Sequence, residues 1–207
     1  SWTEAREKDD FSIFRDDLEI AIGHARRKAD FFGYDRLRYD ALLDLYESGL
    51  TVESLDPLFS GLRENLAPLI KEIVDRSEGP DLSWVTENTW SQAAQEDLSQ
   101  SVSEAIGFDF GAGRRDLSTH PFCGGPNPDD VRWTTRYNVE EPFGSLFGSM
   151  HETGHGTYEQ GRPRELDFQP AGKANGLGIH ESQSRLWENQ IGRSREFCEW
   201  SIPLWRK

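Results

Sequence analysis

At 207 residues, 35% hydrophobic and 12% aromatic, the chain has enough apolar material for one large globular domain or two small ones, and is not a disordered sequence. Its 23 basic against 37 acidic residues leave a net charge of −14, which argues against nucleic acid or an anionic membrane as the main partner. No apolar run reaches membrane-spanning length, and "SWTEAREKDD" is not a signal peptide. Cys123 and Cys198 show no paired spacing, so a reducing cytoplasm is the expected setting.

The first half reads as helices. In "DDFSIFRDDLEIAIGHARRKADFFG", Phe11, Phe14, Leu18, Ile22, Ala25 and Ala29 recur at steps of three and four, up to Gly33. "YDALLDLYESG" predicts a shorter helix ending at Gly49. The next helix carries Leu58, Leu62, Leu66, Leu69 and Ile73, with Pro68 expected to start a new turn or kink it. "SQAAQEDLSQSVSEAIG" predicts a helix with Ser91 as N-cap and Gly107 as stop.

Beyond Gly107 the texture changes. "GFDFGAGRRDLSTHPFCGGPNPDD" is rich in Gly, Pro and Asp and reads as loop, whereas "VRWTTRYNV" alternates and reads as a strand. Pro142 suits the first position of a long helix. After a loop, "IHESQSRLWENQIG" predicts a last helix. Without repeats or low-complexity segments, the simplest organisation is one domain over 1–207, helical over 1–107 and motif-bearing over 108–207.

The long helix contains "HETGH". At about 100° per residue, His151 and His155 lie about 40° apart and one turn above each other. Glu152 is on the same side, and Phe143, Phe147, Met150 and Tyr158 form an apolar stripe beside them. Neutral imidazoles four apart can share one zinc, and a carboxylate beside the first can take a proton from activated water. A polar turn with two solvated histidines is the alternative. Gly154 and Gly156 weaken a helix, so something packs closely here, either a neighbouring helix or a substrate.

Two histidines do not make a catalytic zinc site. In metzincins a third ligand follows six residues after the second histidine, and that position is Gly161 here. Of the five histidines, His24 lies on a polar helical stretch and reads as surface. Glu181 is a candidate third ligand from the last helix. A Glu181–Arg185 surface pair explains it equally well, and Glu188 carries the same surface reading.

"HPF" (120–122), "DVRWT" (130–134), "HETGH" (151–155) and "HESQSRLWENQ" (180–190) occur in the order and at the spacing of the M32 carboxypeptidases, which the chain resembles over almost its whole length. "GFDF", "TTRY" and "YEQG" extend the likeness. The resemblance implies a mainly α fold, a helical zincin-like metallopeptidase core with a small antiparallel β element near the active site. It implies zinc, with cobalt as a substitute, on His151, His155 and Glu181, and Glu152 as general base. It implies peptide substrates, release of C-terminal residues, and a homodimer. It also implies that His120, Arg132 and Thr134 line or buttress the cleft, with an Asp130–Arg132 structural ion pair as the alternative for the last segment.

For the developing oxyanion, His120, His180, Arg132 and Tyr137 are the candidates. Family members are more than twice this long. This chain starts where their helical N-terminal third is ending, and "IPLWRK" precedes two later motifs. One is an Ile-Arg-x-x-Ala segment taken to bind the substrate's terminal carboxylate. The other is Gly-x-x-Gln-Asp-x-His-Trp. Arg136, Arg162, Arg164 and Arg185 are the candidates to replace that clamp. The reading is therefore a zinc metallocarboxypeptidase. The alternatives are an oligo- or endopeptidase with an opened cleft, and a non-catalytic metal-binding assembly module or fragment of a longer enzyme.

Overall fold

The computed structural model describes residues 1–205, which form two compact units, 1–80 and 81 onward. The first unit holds four helices: α1 (Trp2–Glu7), α2 (Ser12–Phe32), α3 (Arg38–Leu43) and α4 (Val52–Arg76). Helix α2 stops at Gly33, where φ is +79°. The segment expected as a helix to Gly49 is helical only as far as Leu43. Beyond it the Asp44 carboxylate accepts the Gly49 N–H at 2.8 Å and closes a turn instead.

Helix α4 starts at a capping box of Thr51 and Ser54 and runs through both Pro57 and Pro68 as one element. Each proline lacks the N–H that would reach the carbonyl four residues back, yet neither ends the helix. The apolar rows of α2 and α4 are real but largely uncovered. Leu58, Leu62, Leu66, Leu69 and Ile73 are all exposed, and Ala29 is the one buried residue of α2.

The second unit carries the site. It opens with the short α5 (Ser83–Thr86) and then α6 (Gln92–Ile106), where Ser91 accepts the Ala94 N–H and Gly107 closes the helix with φ +106°. The segment expected as loop contains two strands, β1 (Gly113–Leu117) and β2 (Cys123–Asn127), which pair on either side of β3 (Asp130–Thr135). The β2–β3 pair is antiparallel and the β1–β3 pair parallel, so the small sheet is mixed. Strand β2 is "CGGPN", whose composition hides it. Its ladder is short and irregular between Gly124 and Asn127, and β3 supplies the apolar side chains.

Helix α7 (Pro142–Gln160) begins with Pro142 in the first turn, and the Glu141 carboxylate accepts the Gly144 N–H at 2.8 Å. It packs on α6 through three polar pairs at one constant offset. Ser145 donates to Gln95, Ser149 donates to Ser99 at 3.1 Å, and Ser103 meets Thr153 at 2.8 Å. The constant offset means that the two helices run parallel and in register. All six side chains are buried, so each polar group finds its partner inside the interface.

Apolar packing surrounds that ladder. Leu98 and Val102 of α6 and Leu146 and Met150 of α7 meet Phe197 of α9 (Arg195–Trp205). Phe108, Val131 and Trp133 form a second cluster under the sheet. Helix α8 (Leu177–Arg185) lies against α7 and passes into a wider π turn, Leu186–Ile191, where a continuous α-helix was expected. Gly192 N–H reaches back to the Trp187 carbonyl at 2.8 Å, one residue further than in an α-helix. No described helix is long and apolar enough to cross a membrane.

Candidate metal centre

Helices α7 and α8 bring the site together, and two glycines permit it. A Cβ on Gly154 would stand 2.7 Å from the Gln183 carbonyl oxygen and 2.8 Å from Ser184 Cα. On Gly156 it would stand 2.7 Å from the Phe108 ring. The close approach at this turn is therefore made by neighbouring protein, with α8 on one glycine and Phe108 on the other. The contact at Gly154 is made by the last turn of α8 and seats Glu181 beside the two histidines.

The result is a set of three donors. His151, His155 and Glu181 each offer a ligand atom, all within 4.8 Å of one another. Glu181 Oε2 lies 3.3 Å from His155 Nε2 and 3.6 Å from His151 Nε2. Two imidazole nitrogens and one carboxylate oxygen are a donor set that suits a divalent metal such as zinc. The residues present therefore fit such an ion.

Glu181 divides its two oxygens. Oε1 accepts from Arg185 Nε at 2.7 Å, the i,i+4 pair foreseen as an alternative, while Oε2 faces the histidines. The surface pair and the ligand role are thus compatible. Burial works to raise the Glu181 pKa, but the Arg185 hydrogen bond, the His151 charge and the Ser184 hydroxyl outweigh it and hold the carboxyl below its ordinary range.

Each histidine is held from behind. His151 Nδ1 donates to Glu188 Oε2 at 2.8 Å, and Glu188 is flanked by Arg185 and Arg193 at 3.4 Å each. His155 Nδ1 lies 2.6 Å from His180 Nδ1, whose Nε2 meets Glu159 Oε1 at 2.7 Å. Burial, then the charges of His180 and His151, push the His155 pKa down to about 4, so its imidazole is neutral at neutral pH. A neutral imidazole is the form that binds metal.

Glu152 completes the group. It is buried on α7, and its Oε2 has no hydrogen-bond partner. Burial, with Glu181 and Glu188 nearby, raises its pKa to about 7. A buried carboxylate poised near neutrality beside a metal donor set is what a general base requires.

With this geometry in view, the profile of the Carboxypeptidase Taq (M32) metallopeptidase family matches residues 1–207. The chain belongs to the M32 family. Carboxypeptidase 1 of Bacillus subtilis is 41% identical over 207 residues, covering 100% of this chain and 40% of that protein. Thermostable carboxypeptidase 1 of Pyrococcus furiosus is 38% identical over 205 residues, covering 99% of this chain and 41% of that protein. The structure of Pyrococcus furiosus carboxypeptidase in its Apo-Mg form superposes with a TM-score of 0.86 at 38% identity, covering 99% of this chain and 41% of that one. The M32 carboxypeptidase of Deinococcus radiodurans superposes with 0.83 at 34% identity, over 99% and 42%. This M32 chain thus spans about two fifths of the length of the relatives it matches.

The other residues singled out from this M32 sequence fall in three places. His120 is exposed between β1 and β2, its Nδ1 on the Pro121 carbonyl at 2.7 Å. Arg132 is exposed and bidentate on Asp130 at 2.8 and 2.7 Å, the structural ion pair named above. Thr134 is buried, and its hydroxyl accepts the Phe122 N–H at 3.1 Å, tying "HPF" to β3. Tyr137 is half-buried, and burial raises its pKa against the opposing charge of Arg115. His180 has both ring nitrogens engaged, by His155 and Glu159.

The four arginines considered for a carboxylate clamp all meet protein groups. Arg136 holds the Thr119 carbonyl, Arg162 holds Glu159 and the Gly172 carbonyl, Arg164 holds Asp129, and Arg185 holds Glu181. Of the two carboxylates behind the histidines, sequence reasoning missed Glu159 and gave Glu188 only a surface-pair reading. The available signal was spacing. Glu159 is four residues after His155 on one helical face, and Glu188 follows Glu181 by two turns.

Proposed function

We propose that this chain carries the metal centre and general base of a zinc-dependent peptidase, most specifically a metallocarboxypeptidase that releases C-terminal residues from peptides. The observation that carries this reading is the meeting of His151, His155 and Glu181 within 4.8 Å beside the buried carboxyl of Glu152. Membership of the M32 family supports the reaction class, and the names of the relatives support the exopeptidase mode.

The two imidazoles and Glu181 would hold zinc, with cobalt as a substitute. When bound there, such an ion would supply Lewis-acid chemistry, polarising a scissile carbonyl and lowering the pKa of water toward neutrality. Glu152 accepts the proton of that water and returns it to the leaving amine, and its pKa of about 7 suits both transfers. Glu188 holds His151 through Nδ1, and Arg185 holds Glu181 through Oε1, which leaves His151 Nε2 and Glu181 Oε2 for the metal. Thr134 buttresses the "HPF" segment, which leaves His120 at the surface of that loop for substrate contact. The family resemblance supports assembly as a homodimer, and the unpaired Cys123 and Cys198 support a reducing, cytoplasmic setting.

The test is peptide digestion with the zinc-loaded chain and with Glu152→Gln, the products being read by mass. The proposal expects loss of single residues from the C-terminus, and a rate about 10²- to 10⁴-fold lower for the variant, which keeps its zinc. Equal hydrolysis by both proteins overturns the role of Glu152. Internal fragments overturn the exopeptidase mode.

A further inference from the structure

His155 and His180 meet through the same ring atom, Nδ1 to Nδ1 at 2.6 Å. A hydrogen bond between them needs one proton shared by two nitrogens, so one ring must donate and the other accept. The far side of His180 decides which. Its Nε2 lies 2.7 Å from Glu159 Oε1. The His180 hydrogen bond holds the Glu159 pKa down against burial, helped by the charge of Arg162. An ionised carboxylate only accepts, so His180 carries its proton on Nε2. His155 turns its Nε2 toward Glu181 and its Nδ1 toward His180, so with His180 Nε2 donating to Glu159 the proton between the two rings belongs to His155 Nδ1 and His180 Nδ1 accepts it.

We propose that Glu159 and His180 are positioning residues that fix His155 as its Nδ1–H tautomer and thereby present the Nε2 lone pair to the metal. This rests on the reading of His155 as a metal ligand, and it assigns to "HES" a second role beside Glu181. The two ligand histidines are then held differently. His151 leans on a carboxylate directly, whereas His155 reaches one through an intervening imidazole.

The rest of the structure is built to hold that line. Arg162 grips the other oxygen of Glu159, Oε2, at 2.9 Å, and both side chains are mostly shielded from solvent. The Tyr158 ring stands edge-on to His180 with centroids 5.2 Å apart. Glu159 comes from α7 and His180 from α8, so the relay also ties together the two helices that carry the ligands. Outer partners that orient a ligand histidine are worth about 10- to 100-fold in metal affinity.

The deciding experiment is long-range ¹H–¹⁵N NMR of the histidine rings in the metal-free wild-type chain. The proposal expects His155 protonated on Nδ1 and bare on Nε2, and His180 protonated on Nε2. His155 protonated on Nε2, with a doubly protonated His180 donating to it, overturns the proposal. Competition titration with zinc alone gives a second readout. His180→Phe keeps the ring volume but no nitrogen, and is expected to weaken zinc by about 10- to 100-fold. His180→Gln, whose amide oxygen can accept from His155, is expected to recover part of the loss. Wild-type affinity in His180→Phe also overturns the proposal. A wild-type chain that binds no zinc overturns the proposed function instead, while the tautomer measured on that same chain still decides the relay.

Discussion

Gly154 and Ser184 leave no room for a methyl group between them. A Cβ on Gly154 would stand 2.8 Å from Ser184 Cα and 2.7 Å from the Gln183 carbonyl oxygen, both backbone atoms that cannot swing aside. Ser184 is also fully buried, so α8 has nowhere to go without opening the packing. The distance between α7 and α8 is what sets Glu181 opposite the two histidines.

Gly154→Ala should therefore separate stability from helix propensity. An extra methyl in a tight interface costs about 1–3 kcal/mol, whereas Gly to Ala in an open helix gains up to about 1 kcal/mol. Gly148, on the same helix, has open space where a Cβ would go, with nothing within 4 Å. The expected outcome is a lower melting temperature and weaker zinc binding for Gly154→Ala, and an unchanged or higher melting temperature for Gly148→Ala. Equal effects of the two substitutions would show that the close approach of α8 is not what matters.

Glu188 is expected to tune metal affinity without touching the metal. Its Oε2 accepts from His151 Nδ1, and its flanking arginines keep it in place. Glu188→Ala should weaken zinc by about 10- to 100-fold. Glu188→Gln, which keeps an acceptor oxygen but loses the charge, should weaken it less. Competition titration reads both. Unaltered affinity in Glu188→Ala would remove Glu188 from the site.

The pH dependence of the metal-free chain follows from two opposed shifts. Glu152 titrates near 7 when folded, against an ordinary value of 4.5, so its contribution is present below about 4.5 and is lost as pH rises toward 7. His155 titrates near 4 against an ordinary 6.5, so its contribution is present above 6.5 and is lost as pH falls toward 4. Glu152→Gln removes the first and leaves the second. The melting temperature of the variant minus that of wild type should rise between pH 4.5 and 7 and flatten above. Thermal melts in a chelating buffer check this, and a difference that stays flat throughout would contradict the burial of Glu152.

The sequence revealed the site better than it revealed its surroundings. "HETGH" on a helix beginning at Pro142 carries its own geometry, because spacing of four always stacks two side chains. Glu181 needed a second helix, whose position depends on the contact at Gly154, and no local pattern reports that. Glu159 and Glu188 were hidden for another reason. In this acidic chain a carboxylate beside an arginine reads as a solvated pair until the packing shows a histidine on its other side.

The fold followed the same division. Ser91, Gly107 and Pro142 marked helix ends because caps are local chemistry. Strands β1 and β2 were concealed because "GRRDL" and "CGGPN" carry little of the strand signal, and their pairing is dictated by β3 and its buried Val131 and Trp133. The π turn at Leu186–Ile191 was likewise invisible, since it preserves the helical composition while shifting Glu188 relative to Glu181.

The central claim is that His151, His155 and Glu181 hold one catalytic metal. The most direct measurement is the zinc content of the chain after loading and gel filtration, determined by elemental mass spectrometry for wild type and Glu181→Ala. The account predicts one zinc per wild-type chain and almost none in the variant. No zinc in wild type, or equal zinc in both, would contradict it.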